Sequence, residues 1–353
     1  MFLKKTLLIF LFPILLLSSC SSEYWQFHEK KQAREQEKQK TIQSLQDFSI
    51  EQIETHDVEI LATPDKKVLD RIVSMVDQSK NQIFIEVYIF TEKGILESLK
   101  NAKKRGVDVR VVLEKNVFGA PSINSKTFKS LQGAGISITY DNSKLYNFVH
   151  TKLLIIDDVY IITTGNLSYS SFTTNREFFV IGKNPADVQT LKNIFLADFT
   201  GQEISESTTN LVISPVNSRK KIETLLKSAK KDIFLYAENF GDNSILSILS
   251  QKVASGIPVT ICMADPSKVK SNTEVIALLK GKRIDVRTSK KPVIHAKAAL
   301  VDSEHGYIGS ENYSANSLDE NREIGTLIKA SPEFTEMFRS VFESDCPNGE
   351  IYK

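Results

Sequence analysis

Two stretches of the chain carry the same three chemically useful residues at the same spacing. His150, Lys152 and Asp157 stand in Val149-His150-Thr151-Lys152-Leu153-Leu154-Ile155-Ile156-Asp157. His295, Lys297 and Asp302 stand in Ile294-His295-Ala296-Lys297-Ala298-Ala299-Leu300-Val301-Asp302. The apolar runs 153–156 and 298–301 predict buried strands. Residues two apart on a strand share a face, so each His projects together with its Lys. Each Asp lies an odd number of residues away and enters a predicted turn, Asp157-Asp158 or Asp302-Ser303, off that face. An imidazole that titrates near neutrality beside a fixed cation, present twice, suits phosphoryl chemistry if the fold brings the two sets together.

The repeat extends downstream. Thr163-Thr164-Gly165-Asn166 follows the first histidine and Gly309-Ser310-Glu311-Asn312 the second, with the Asn 16 and 17 residues after its His. Asn175-Arg176-Glu177 and Asn321-Arg322-Glu323 come next, with the Glu 27 and 28 residues on. A single one-residue deletion accounts for both differences. Upstream, residues 80–90 read as a strand, 95–102 as a helix ended by Gly106, and 107–114 as another strand. The same order recurs at 231–240, 245–253, Gly256 and 257–264. Phe84, Phe90 and Gly106 match Phe234, Phe240 and Gly256 at an offset of 150. Helical patterns at 67–78 and 218–229 precede the two copies. This predicts an α/β protein with two similar β-sheet halves, each flanked by helices on both faces. The halves are expected to span 58–205 and 206–353, with the boundary in the polar stretch 203–210.

The 353 residues suffice for two such cores, and composition is that of an ordinary folded chain: 41% hydrophobic and 25% charged. The formal charge of +2 falls to zero without Lys4 and Lys5, so no overall field draws the body to nucleic acid. Basic runs such as Arg219-Lys220-Lys221 are expected to be solvated helix faces. Lys4-Lys5 precedes an apolar stretch, 6–17, too short to span a bilayer. Leu17-Ser18-Ser19-Cys20 resembles the lipobox of bacterial lipoproteins. That resemblance implies a signal peptide at 1–20, lipidation of Cys20, and a protein exported to the cell envelope and anchored to a membrane by its acyl chains. Residues 21–57 are expected to be a polar tether. His28 and His56 are expected to be ordinary surface residues and His305 a turn residue. Only Cys262 and Cys346 would remain to pair; export would permit a disulfide, but Cys262 lies in the apolar strand 259–263 and is expected to be a buried thiol.

The paired His-x-Lys-x4-Asp motif, the Gly-Ser-x-Asn cluster at 309–312 and the downstream glutamates together resemble the phospholipase D superfamily, over about residues 58–343. The first copy departs from the pattern, with Thr163-Thr164-Gly165 where Gly-Ser-x is usual. The resemblance implies one site between pseudo-twofold halves. One His attacks phosphorus to form a phosphohistidine; the other protonates the leaving alcohol and then activates water. It gives His150 the nucleophile's role and His295 that of acid and base. Lys152, Lys297, Asn166, Asn312, Thr164 and Ser310 are expected to hold phosphoryl oxygens. Glu177 and Glu323 are expected to accept the second ring N–H of a His, and Asp157 and Asp302 to anchor turns. No cofactor or metal is expected, because a Lys beside each His would repel a cation. The expected activity is hydrolysis of phospholipid head groups to phosphatidic acid, by a monomer. The alternatives are an exported nuclease, for which Lys126, Lys129, Lys144, Lys268, Lys290 and Lys291 would supply a basic groove, and phosphatidyl transfer as in cardiolipin synthesis. Members of the latter kind usually carry N-terminal membrane helices, and none is expected here.

Overall fold

The two apolar runs that follow the histidines each become the central strand of a sheet. A computed structural model of the chain describes residues 48–141 and 145–347. Lys4, Lys5, Cys20, His28 and Lys144, with the expected signal peptide and most of the expected tether, lie outside the described residues. In the first half the strands are β1 (Val58–Thr63), β2 (Gln82–Val87), β3 (Asp108–Leu113), β4 (Ser137–Tyr140), β5 (Lys152–Ile156), β6 (Val159–Thr163) and β7 (Asn175–Gly182). Their order is β1-β7-β6-β5-β2-β3-β4. The second half contributes β8 (Leu211–Ser214), β9 (Ile233–Ala237), β10 (Val259–Ala264), β11 (Asp285–Ser289), β12 (Val293–Ile294), β13 (Lys297–Val301), β14 (His305–Gly309) and β15 (Glu323–Lys329). Its sheet runs β11-β10-β9-β13-β14-β15-β8, the same order read from the other end. In each sheet the β-α-β unit is parallel and the strands after the histidine are antiparallel.

Both sheets are covered on both faces, which explains why β5 and β13 are unbroken apolar runs and do not alternate. One core packs the outer face of the first sheet against the helices Lys66–Gln78 and Lys93–Lys104. Another packs the outer face of the second sheet against Ser218–Ser228, Asn243–Ala254 and Asn272–Gly281. The third lies between the sheets and includes Leu153, Phe178, Ala298 and Ile324 with the helices Pro185–Thr200 and Pro332–Asp345. The first of these helices shows the local logic. Asp65 caps it by accepting from the Lys67 N–H at 2.9 Å, and Val68, Ile72 and Val76 bury one face at four-residue steps.

Five expectations change. His305 opens strand β14 and lies just past the turn. The tether ends earlier than residue 57: Phe48, Ile50 and Ile53 are buried in the second half's outer core, and Asn210 clasps both backbone groups of Glu54. Lys221 is buried, because its ammonium caps the carbonyls of Thr208, Thr209 and Leu211 and lies over the Phe48 ring. His56 is held between Asp187, at 3.0 Å, and Glu54, at 3.1 Å. Cys262 is no thiol. It is bonded to Cys346, whose helix 332–345 lies across the sheet that carries β10. A buried strand position favours a small apolar side chain, and a half-cystine satisfies that as well as a thiol does.

Candidate active site

The backbone just before each histidine crosses to the other half. Val149 bridges Arg322, the His150 N–H donates to the Arg322 carbonyl at 2.9 Å, and the Arg322 N–H to the Phe148 carbonyl at 2.9 Å. In the mirror arrangement β12 runs parallel to the start of β7, pairing Val293 with Asn175 and Ile294 with Arg176. Each histidine therefore stands beside the glutamate that follows the other half's arginine. His150 Nδ1 is 2.7 Å from Glu323 Oε2, and His295 Nδ1 is 2.8 Å from Glu177 Oε1. Both carboxylates are fully buried and each receives its neighbouring Asn amide, Asn321 on Glu323 and Asn175 on Glu177.

A carboxylate on Nδ1 fixes the proton there and leaves Nε2 for chemistry on both rings. Lys152 and Lys297 are buried at the first positions of β5 and β13, two residues after their histidines. Their ammonium groups reach back to the carbonyls of His150, at 2.5 Å, and His295, at 2.6 Å. The Oδ1 atoms of Asn166 and Asn312 are buried without a hydrogen-bond partner among the described residues. Thr164 and Ser310, expected to touch phosphoryl oxygens, are fully buried. Thr164 donates to Glu177 at 2.7 Å and accepts from the Phe178 N–H, while Ser310 accepts from the Ile324 N–H. Their hydroxyls thus tie the Asn-bearing turn to the strand that carries the glutamate. Asp157 and Asp302 lie apart from the histidines. Each sits at positive φ in its turn and accepts three backbone N–H groups, from residues 80–82 and 230–232.

Burial pushes the His150 imidazole below its usual range; Glu323 opposes this and Lys152 and Lys297 add to it. Burial likewise pushes Lys152 down to about 7, against Glu323. On Glu323 burial acts upward, but the charges of His150 and Lys152 outweigh it and hold the carboxyl below its ordinary range. That Lys297 bears on His150 and Lys152 places both motifs in one electrostatic site.

The sequence profile described as "Cardiolipin synthase, PLD-like domain" matches this chain twice, at residues 72–199 and 222–346. The chain belongs to the phospholipase D superfamily. Cardiolipin synthase 1 of Staphylococcus epidermidis is 22% identical over 82% of this chain and 68% of its own length. Cardiolipin synthase 1 of Bacillus anthracis is 26% identical over 81% of this chain and 65% of its own. The chain thus spans about two thirds of the length of these curated relatives. A solved structure, phosphatidylserine synthase of Haemophilus influenzae, shares the fold with a TM-score of 0.66, at 13% identity, over 87% of this chain and 89% of its own.

Within this superfamily site, four more residues take part whose roles the local sequence pattern does not reveal. Arg176 and Arg322 each reach a helix-terminal Asp of the other half, Asp345 at 2.5 Å and Asp198 at 2.9 Å, and so fix the strand that carries each glutamate. Glu311 is buried against Tyr307, and burial, reinforced by Glu323, pushes it up to about 8. Glu238 extends from the end of β9 to Lys297, at 2.5 Å, and lies 3.6 Å from His295 Nε2. At the same offset of 150 the first half has Tyr88, whose ring meets His150 edge-on at 4.7 Å. Aligning the copies position by position, beyond the motifs, carries that signal.

Proposed function

We propose that this superfamily enzyme is a phosphatidyltransferase that moves a phosphatidyl group from one phospholipid to an alcohol through a phosphohistidine. What carries the reading is the pair of histidines, each buttressed by the opposite half's glutamate, in a chain whose relatives are cardiolipin synthases. His150, whose burial favours the neutral ring, attacks phosphorus through Nε2. His295 protonates the departing alcohol and then deprotonates the incoming one. Lys152, Lys297 and the amides of Asn166 and Asn312 take up the charge that gathers on the phosphoryl oxygens. Hydrolysis, the first expectation from the motifs, uses the same intermediate with water as acceptor.

The test is to incubate the purified full chain with phosphatidylglycerol vesicles, with and without added glycerol, and separately with DNA. Cardiolipin formed without glycerol, and its reversal on adding glycerol, are the expected results. Phosphatidic acid as the sole product would replace transfer with hydrolysis, and DNA cleavage without lipid products would change the substrate class. Lys126, Lys129, Lys268, Lys290 and Lys291 are solvent-exposed, so the nucleic-acid arm has chemical content. Among the described residues no helix is long and apolar enough to cross a membrane. Attachment to the bilayer through Cys20 is part of the proposal, and persistence of a Cys20→Ala variant in the membrane fraction would remove it.

A further inference from the structure

The two sets of catalytic groups are not copies of each other at the ring nitrogens that do the chemistry. On the first side, His150 meets the phenol ring of Tyr88, and Lys152 lies 5.3 Å from the same ring. On the second side, Glu238 takes the place of that ring. One carboxylate oxygen, Oε2, contacts Lys297 and stands 3.6 Å from His295 Nε2. Its other oxygen, Oε1, has no hydrogen-bond partner among the described residues, and a quarter of the side-chain surface is open. A negative charge is an unexpected neighbour for a phosphodiester, which is itself an anion. It is well suited to whatever neutral or cationic group lies next to the reacting oxygen.

That group is the alcohol. In the reading above, His295 Nε2 must hydrogen-bond first the leaving and then the entering hydroxyl. An atom 3.6 Å from Nε2 is therefore within reach of substituents on the alcohol's adjoining carbon. We propose that Glu238 selects the acceptor alcohol by accepting a hydrogen bond from a second donor on it, a neighbouring hydroxyl or ammonium. In the transfer step the acceptor oxygen bonds phosphorus while the P–N bond to His150 Nε2 breaks and its electron pair returns to the ring. The acceptor's proton passes to His295 Nε2, and the second donor stays on Glu238. The proximity of His295 and Lys297 outweighs the effect of burial and keeps this carboxyl ionised well below the ordinary range, so it accepts and never donates at neutral pH. Alcohols with an anionic group beside the hydroxyl are disfavoured by the same charge.

The inference rests on the transferase reading, and the experiment separates the two. The full chain is given phosphatidylcholine vesicles with glycerol, ethanolamine, 1-propanol or glycerol 3-phosphate as competing acceptors, and the phosphatidyl products are quantified. The wild type is expected to favour glycerol and ethanolamine over 1-propanol by about tenfold or more, the value of a hydrogen bond to a charged acceptor. Glu238→Gln and Glu238→Tyr, the latter copying the first half, are expected to bring that ratio close to one, whatever their overall rate. An unchanged ratio in both variants, or a wild type that prefers 1-propanol, overturns the role of Glu238. A wild type that forms no phosphatidyl alcohol with any acceptor overturns the transferase reading itself, and the inference with it.

Discussion

His150 faces an aromatic ring and His295 faces a carboxylate, although each stands two residues before the equivalent strand of an equivalent sheet. What the halves keep in common is the apparatus that positions the rings: the Asp turn, the backbone bridge to the opposite half, the buried Glu on Nδ1 and the Arg–Asp pair behind it. What they do not share lies beside the imidazole rings and around the glutamates. Duplication thus supplies two oriented imidazoles, and in the proposed mechanism the divergence around them separates a ring that attacks phosphorus from one that carries protons. The supporting layers differ as well. Asp345 adjoins Cys346 of the disulfide, whereas Phe199 stands after Asp198 in the first half and stacks on Phe195.

The largest effect that tests this division comes from the rings themselves. His150→Ala and His295→Ala are each expected to lower lipid turnover by about 10³-fold or more, the range for losing a nucleophile or an acid–base group. A p-nitrophenyl phosphodiester then tells them apart, because its leaving group needs no proton. His295→Ala is expected to release one equivalent of nitrophenol in a burst, and His150→Ala none. A burst from His150→Ala alone would exchange the two roles.

Much of this arrangement is legible in the chain before folding, and the part that is not has a physical reason. Spacing identifies His150, Lys152, His295 and Lys297 because the period of a strand is local. The matched deletions identify Asn166, Asn312, Glu177 and Glu323. Which histidine each glutamate serves depends on bridges between residues far apart in the chain, Val149 with Arg322 and Ile294 with Arg176, and no local pattern encodes that. The hydroxyls of Thr164 and Ser310 were misplaced because a turn residue's direction depends on its strand partner, here Phe178 or Ile324. Export would permit the cysteine pair, but its members lie 84 residues apart, on a strand and a helix end, and no local pattern joins them.

A smaller effect sharpens the comparison at the second ring nitrogen. Replacing Glu323 or Glu177 with Gln removes the anion that fixes the tautomer of the opposite half's histidine, and either change is expected to lower kcat by roughly 10²-fold or more. Their pH profiles differ. Glu323 raises the pKa of His150 against the downward pull of burial, so Glu323→Gln lets it fall further. The acid limb of kcat/KM, set by deprotonation of the nucleophile in the free enzyme, then moves to lower pH. Movement of that limb in Glu177→Gln, with none in Glu323→Gln, would assign the nucleophile to His295.

The smallest effect concerns Glu311, which stands where the first half has Gly165. A side chain fits poorly at Gly165, since a Cβ there would lie 2.8 Å from Glu177 Cγ. In the second half the space around Glu323 admits a whole carboxyl, hydrogen-bonded to Tyr307 at 2.6 Å. Burial lifts this group from 4.5 to about 8, so the folded protein keeps a proton that the unfolded chain releases. Between those two values this group binds more protons in the folded state, so its own contribution to stability falls as pH rises. Glu311→Gln holds the same shape without a titrating proton. Its denaturation midpoint is therefore expected to decline less than that of the wild type between about pH 4.5 and about pH 8. Parallel pH curves for the two proteins would mean that Glu311 is ionised when folded. Two buried negative charges would then stand behind His150, against one behind His295, and the asymmetry between the halves would be larger than the hydrogen bonds alone imply.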